Sequence, residues 1–439
     1  MSGIAEILYH WGFIVTGSDV HSSEITNKLI KNGIHVVIGH DLDSLRTADA
    51  VVYTAAISQD DIEMVEARKL NIPLIERSDF LGELTKSFET TIGISGTHGK
   101  TTTTSMVSVC FLKAGLDPNI QVGGILKQID GNYKIGNSEY FIIEACEYVE
   151  SFLKFSPKAE IILNIDNDHL DYFKTFENIK NAFIKYVKLL PSNGLLVLNA
   201  DDKNCLELKN YTAAKYITYG IENQSANFIA KDIKFNNDGF ASFDVYKNGI
   251  FYSHIQLSVA GRHNVLNALA AISLCDYYGI NSEVIKDALL EFTGAHRRLE
   301  YKGSFNDISV YDDYAHHPTE IKATCNALYN KKFNKAWVIF QPHTYSRTKN
   351  LLNEFAEALS QFDNIIITDI YAARESNTYG VSSKDIADRL NSSRTASCKY
   401  ISNFEDIVKY VKENAKPNDI ILTLGAGNVT DIGPMILKS

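Results

Sequence analysis

Apolar residues recur along this chain at two spacings. At Ile4, Ile7, Leu8 and Trp11 they return every three or four positions, which predicts one face of a helix closed by Gly12. The following FIVTGSD reads as a short strand ending in a loop. Beyond it, short β-branched runs alternate with amphipathic stretches: HVVIGHD, ADAVVYTAA and IPLIERS in a first unit finished by about Arg77. After LGELTKSFE a second unit opens with TTIGISG, continues through EYFIIEA, AEIILNID and GLLVLNADD, and ends in the helical RHNVLNALAAISLCDYYG. Within it, residues 226–259 alternate apolar and polar positions around the turns NNDG and KNG, the pattern of an antiparallel insertion. A third unit starts near GAHRRLE and supplies ISVYDDY, AWVIFQPH, NIIITDIY and DIILTLGAG. Strands alternating with helices predict parallel sheets and an α/β fold, and 439 residues exceed what one core holds. The organisation expected is three α/β domains: 1–86, 87–296 and 297–439.

Composition narrows the partners. An apolar fraction of 45% and a charged fraction of 22% belong to an ordinary globular protein. A net charge of -10 argues against a general nucleic-acid binder, yet a local cluster of basic groups still admits anionic substrates. No apolar run has the length of a membrane span, and Met1–His10 lacks a basic leader, so a cytoplasmic chain without a membrane partner is expected. The six scattered cysteines read as reduced thiols.

The strongest chemical signal is GISGTHGKTTTT, residues 93–104, between a strand and a helix. A glycine turn lets backbone N–H groups approach a phosphate chain, and the following helix N-terminus favours its charge. Gly96, Thr97, His98, Gly99 and Thr102 would form the cradle, Lys100 would reach the β/γ-phosphates and the Thr101 hydroxyl would meet Mg²⁺. Ile94 stands where the strict P-loop pattern wants its first glycine. The bland alternative is a glycine turn capped by threonines.

Other polar groups collect where strands should end. Glu144 follows EYFIIEA, and Asp166, Asp168 and His169 follow EIILNI, beyond the strand ends where open parallel sheets bind ligands. Either could complete an oxygen-rich metal shell, but Glu144 could equally be a solvated acid, and His169 could simply bond Asp168 or Asp171. Asn264 and Asn267 share a helix face, placed either to read an adenine edge or to cap the helix. Arg297, Arg298, Asp312, Asp313, Tyr314, His316, His317, His343 and Arg347 gather in the third unit, where arginines would hold an anionic substrate or form a surface ion-pair cluster. Its His-His-Pro also suits a transition metal, but no third ligand follows at metal spacing.

In this order GTHGKTTTT, Glu144, NIDNDHLD, GRHNVLNALAA, RRLE, DDYAHHPTE, QPHTYSR and GAGN resemble the Mur ligase family over nearly the whole chain, and the last four resemble its alanine-adding branch. The family's GT-x-GKT[ST] loop accounts for the missing glycine. The resemblance implies a Rossmann-like UDP-binding domain, a central P-loop ATPase-type domain and a C-terminal Rossmann-like domain. It implies an ATP-dependent amide ligase that activates the lactoyl carboxylate of UDP-N-acetylmuramate as an acyl phosphate and joins it to L-alanine. Lys100 and Thr101 would then take the ATP phosphates and a first Mg²⁺, with Glu144 and His169 on a second. Asn264 and Asn267 would lie by the adenine, and Arg298 and Asp313 would close the nucleotide site. Tyr314, His316, His343 and Arg347 would face the alanine and lactoyl groups, and Ser18, Asp19 and His40 the uridine. His343 or His316 would accept the ammonium proton, unless water does. A monomer or homodimer is expected.

This chain departs from the family's EADES string, carrying EACEY with Cys146 in place of an acid, and has Thr344 where many members have arginine. Neither Lys185 nor Lys188 aligns with the carbamylated lysine of the sister ligases. The family's first domain opens on a strand and a glycine turn, so MSG resembles the end of that turn, with about twenty residues expected upstream, an unpaired neighbouring strand, and weakened UDP-sugar binding beside an intact ATP site. Two other readings stay open: a relative that adds a murein peptide to the same sugar nucleotide, and a P-loop phosphotransferase or ATPase with no ligase step.

Overall fold

The computed structural model describes all residues except 55, 374, 394–396 and 439, and no side chain of 24, 171 or 393. The long buried runs of the second unit form one ten-stranded sheet. Its parallel heart runs Lys215–Gly220, Leu195–Asn199, Ala159–Ile162, Thr90–Ser95, Tyr140–Glu144 and Asn119–Leu126. Helices cover both faces: Lys100–Lys113 and Arg262–Tyr277 pack into one apolar core, and Phe176–Val187 into the other. Burial on both faces is why these strands read as continuous apolar runs.

Two expectations change and one is refined. Only Thr16–Asp19 of FIVTGSD is strand; Phe13 and Ile14 precede it, exposed, because nothing covers them. The antiparallel insertion is present and is continuous with the central sheet. Phe228–Phe235 pairs in parallel with Lys215–Gly220, and the hairpin strands Phe240–Lys247 and Ile250–Ala260 extend the same sheet. Asn119–Leu126 and Gly131–Lys134 escape the pattern because glycines interrupt them.

The third unit is a six-stranded sheet, Glu300–Phe305, Ile308–Asp313, Ile420–Leu424, Ala336–Phe340, Asn364–Ile367 and Ser397–Tyr400, parallel except for the first strand and cored on both faces. In the first unit, among the described residues, strands Thr16–Asp19 and His35–Ile38 pair only with each other, as do Val51–Tyr53 and Leu74–Glu76. Its first helix, Ser2–His10, and its last, Arg77–Thr85, bury Ile4, Ile7, Leu81 and Leu84 in the central unit's core.

Candidate active site at the ends of two sheets

The strand Thr90–Ser95 runs into Gly96, and the helix Lys100–Lys113 starts after Gly99. Both glycines have positive φ, 138° and 87°. A Cβ on Gly96 would stand 2.9 Å from Leu163 Cβ, and one on Gly99 2.7 Å from Asn267 Oδ1, so neither position admits a side chain. Asn164 clamps the turn, accepting the His98 N–H at 2.7 Å and donating to the His98 carbonyl at 2.9 Å. Thr97 Oγ1 accepts the Asp166 N–H at 2.9 Å. Lys100 Nζ donates to the carbonyls of Gly96 and Thr97 at 2.6 and 3.0 Å and lies 2.8 Å from Glu147. Burial works against its charge, but Glu147 holds the ammonium above the usual lysine range.

Glu144 and Thr101 meet as the spacing implied: the Thr101 hydroxyl donates to Glu144 Oε1 at 3.1 Å, while the Gly123 N–H donates to Oε2 at 2.7 Å. Glu144 is therefore held in place and is not a solvated strand-end acid. Cys146, which stands in place of the family's second acid, supplies no carboxylate and is exposed. A carboxylate stands one residue on: Glu147, buried, touches Lys100 and lies 3.8 Å from His169 Nε2. Two acids three residues apart after a buried strand were the available signal. The His169 N–H donates to Asp168 Oδ1 at 2.7 Å, while its ring Nε2 lies 3.8 Å from Asp168 Oδ2, beyond hydrogen-bond length; Asp171 lies outside the described side chains. The Tyr148 ring packs on His169 with centroids 4.5 Å apart.

Between the central and third sheets lies a cavity of about 1410 Å³, lined by Gly99, Thr102, Asn264, Asn267, Arg298 and Asp313 among others. Asn267 Nδ2 donates to Asn264 Oδ1 at 2.9 Å, and Asn264 Nδ2 to the Ala260 carbonyl at 2.7 Å. The helix N-cap is Gly261, so the pair does not serve as a side-chain cap. Arg298 reaches toward Thr101 Oγ1 (3.5 Å) and Glu320 (3.9 Å). Asp313 accepts the N–H groups of Leu299 and Ala315 and the Thr324 hydroxyl, and burial pushes its carboxyl up to about 6 against the pull of Arg298. Arg297 turns away to Asp312 at 3.1 Å and to the Gly425 and Gly427 carbonyls.

A second cavity, about 190 Å³, is walled by Tyr148, Asp168, His169, His343, Thr344 and Arg347. Arg347 joins the two units: one amino group donates to Asp168 Oδ1 at 3.1 Å, the other meets His343 Nδ1 at 3.2 Å. Burial pushes the His316 and His343 imidazoles down to about 4. Tyr314 and His316 do not line this cavity. Tyr314 lies under Arg297 and Arg298, and His316 meets the His343 ring at 5.6 Å. Val149, His169 and Thr344 all have positive φ (49°, 54° and 64°), a concentration of backbone strain beside one small cavity. Thr344 caps the helix Tyr345–Asn350, its hydroxyl accepting the Arg347 N–H. Ser346 binds Glu375, a wall residue that sequence reasoning missed because it comes from a loop 29 positions away.

Family profiles cover the chain almost end to end: Mur ligase family, catalytic domain, over residues 1–89; Mur ligase middle domain over 94–275; Mur ligase, glutamate ligase domain, over 297–427. The chain belongs to the Mur ligase family. Curated relatives named UDP-N-acetylmuramate–L-alanine ligase include that of Acetivibrio thermocellus, 50% identical over 100% of this chain and 93% of its own. That of Caldicellulosiruptor bescii is 49% identical over 100% and 96%. Among solved structures, the UDP-N-acetylmuramate-alanine ligase of Thermotoga maritima matches this Mur ligase with a TM-score of 0.84 at 30% identity, covering 100% of this chain and 96% of that one. A murein peptide ligase from Psychrobacter arcticus gives 0.72 at 25% over the same shares.

In the first unit of this Mur ligase, the Ser18 hydroxyl donates to Glu63 at 2.7 Å and His40 lies 4.0 Å from Asp61, while Asp19 accepts the His21 N–H. Ser18 and Asp19 on the strand Thr16–Asp19, and His40 on the loop after His35–Ile38, are surface residues far less enclosed than the groups around Lys100. Lys185 pairs with Glu150 and Lys188 lies over the Tyr211 ring. No helix among the described residues is long and apolar enough to cross a membrane.

Proposed function

We propose that this protein joins L-alanine to the lactoyl carboxylate of UDP-N-acetylmuramate at the expense of ATP, releasing ADP and phosphate. The observation that carries the reading is the seam itself. A nucleotide-sized cavity beginning at a P-loop and a cavity small enough for an amino acid flank one run of strand-end residues, Asn164 to His169. Half-identical relatives bearing the alanine-ligase name support the choice of amino acid over a murein peptide. A phosphotransferase without a ligase step leaves the second cavity without a use.

The donor set fits Mg²⁺: a threonine hydroxyl and a fixed carboxylate 3.1 Å apart are hard oxygen ligands, and His169, 3.8 Å from Glu147, offers a nitrogen beside the second acid. When bound, the ion would neutralise charge on the transferring phosphoryl group. Lys100, kept charged by Glu147, does the same from the protein side. A lactoyl carboxylate oxygen attacks the γ-phosphorus, ADP leaves, and an acyl phosphate results. The alanine amine then attacks its carbonyl carbon, and the tetrahedral species expels phosphate to leave the amide. Arg347 is placed to orient a carboxylate, and its bonds to Asp168 and His343 fix its fork. His343 is neutral at pH 7 and available to the ammonium proton, though an imidazole near 4 holds a proton only in passing.

Mass spectrometry of the product after incubation with ATP, Mg²⁺, UDP-N-acetylmuramate and either L-alanine or a murein tripeptide tests this. An amide to alanine is expected; product with the tripeptide alone, or phosphate release without an amide, would overturn it.

A further inference from the structure

His98 stands in the middle of the phosphate-binding turn, yet its ring is engaged by acids of two different units. Nε2 lies 3.3 Å from Asp166 Oδ2, at a strand end of the central sheet, and Nδ1 lies 3.6 Å from Glu320 Oε1 of the third unit. Each acid is itself fixed. Glu320 is the third residue of the helix Pro318–Leu328, and its other oxygen accepts the N–H groups of His316 and His317 at 3.0 and 3.3 Å. It cannot shift without that helix. Asp166 Oδ2 also accepts the Thr319 hydroxyl at 2.8 Å, a second bond from the same helix to the same corner. Arg298, 3.9 Å from Glu320, and His317, its ring 5.2 Å from His98, complete the surroundings together with Asp168.

The residue type suits this place. A protonated imidazole donates from two nitrogens on opposite edges of a rigid ring, whereas an amide side chain donates from a single nitrogen. Burial disfavours the charge, but the hydrogen bond to Asp166 and the carboxylate of Glu320, 3.6 Å from Nδ1, carry His98 up to about 9. One ligand atom each of His98, Asp166 and His317 lie within 4.8 Å of one another, a grouping with which the contacts of His98 to Asp166 and Glu320 compete. His98 is two residues from Lys100, and Asn164 holds both its backbone polar groups, so a pull on the ring is passed to the turn.

We propose that His98 is a positioning residue, a clasp through which docking of the third unit on Glu320 sets the phosphate turn for phosphoryl transfer. This rests on the ligase reading. It goes further in giving His98 a task other than holding ATP: arrival of the third unit and alignment of Lys100 become one event.

The test is a double-mutant cycle in the full-length protein with His98→Gln, Glu320→Gln and the pair, following kcat, KM for ATP, ATP affinity by calorimetry and melting temperature. Each single change is expected to lower kcat about tenfold with ATP affinity within about threefold of the parent, and the pair to be no worse than about twice the poorer single. A merely structural role would instead lower melting temperature and ATP affinity together with kcat. Should Glu320→Gln fail to fold, Thr319→Val, which removes the third unit's hydroxyl from Asp166, takes its place in the cycle. Multiplying effects, an unchanged kcat in His98→Gln, or a rate that requires added Zn²⁺ would overturn the clasp. A parent protein that forms no alanyl amide would instead overturn the functional reading.

Discussion

The residues around Lys100 and the loops around Ser18 are built in opposite ways. In the seam between the central and third sheets, nearly every polar side chain is held by partners from another element: Lys100 by Glu147, Glu144 by Gly123 and Thr101, Arg347 by Asp168 and His343. In the first unit, Ser18 lies on a two-stranded sheet exposed along its first strand and His40 on the loop just beyond its second, and their neighbours Glu63 and Asp61 belong to the same unit. The first region is organised before any ligand arrives; the second offers groups that a ligand must organise. Ordering them costs part of the binding energy, so the ATP side is expected to tolerate few substitutions and the sugar-nucleotide side many.

The severest break in this contrast is Lys100→Ala. Turnover should fall by about a thousandfold or more in a coupled phosphate-release assay, because a charge aimed at the transferring group is lost and Glu147 is left buried without its cation. Arg347→Lys should cost about 10- to 100-fold in kcat/KM for L-alanine in the same assay, since an ammonium cannot hold Asp168 and His343 while presenting a planar fork. ATP affinity, by calorimetry, should not change.

The pH dependence of stability should separate the regions next. His316 and His343 are held near 4 in the fold against about 6.5 in an unfolded chain, so the unfolded state binds more protons between those values. Their contribution is present above pH 6.5 and is lost as pH falls toward 4. His98, raised to about 9, has the opposite sign: its contribution is complete below pH 6.5 and fades as pH rises through 9. Thermal melts should therefore show the third unit's docking weakening at both ends, and His343→Asn should flatten the acid side. The smallest effect belongs to the first unit: Ser18→Ala should raise KM for the sugar nucleotide about two- to fivefold and leave the ATP constants alone, a loss of one exposed hydrogen bond.

Much of the seam was legible in the sequence because sheet geometry places it. A glycine turn after a buried strand, and acids after the two neighbouring strands, must converge at one sheet edge, and Lys100, Thr101 and Glu144 do. What stayed hidden depends on which way a side chain turns in an irregular segment. Glu147 lies in a stretch where Val149 and Glu150 both take positive φ, so no strand or helix period indicates its direction. His98 read as part of the cradle because spacing records the turn and not the acid waiting in a unit some 220 residues downstream. Phe13 and Ile14 misled in the other direction, apolar enough for a strand but with no neighbour to pair or cover them.

The packing of Ile4, Ile7, Leu81 and Leu84 into the central core has a mechanical consequence. One joint of the molecule is mainly oil, with Lys154 pairing to Glu76 and Asp79 at its rim, and the other mainly charge. Apolar contact is indifferent to added salt at moderate concentrations, and the ion pairs Asp168–Arg347 and His98–Glu320, their side chains largely buried, are screened only weakly by it. Alkali should therefore act on one hinge alone, loosening the third body as His98 loses its proton while apolar contact keeps the first against the second.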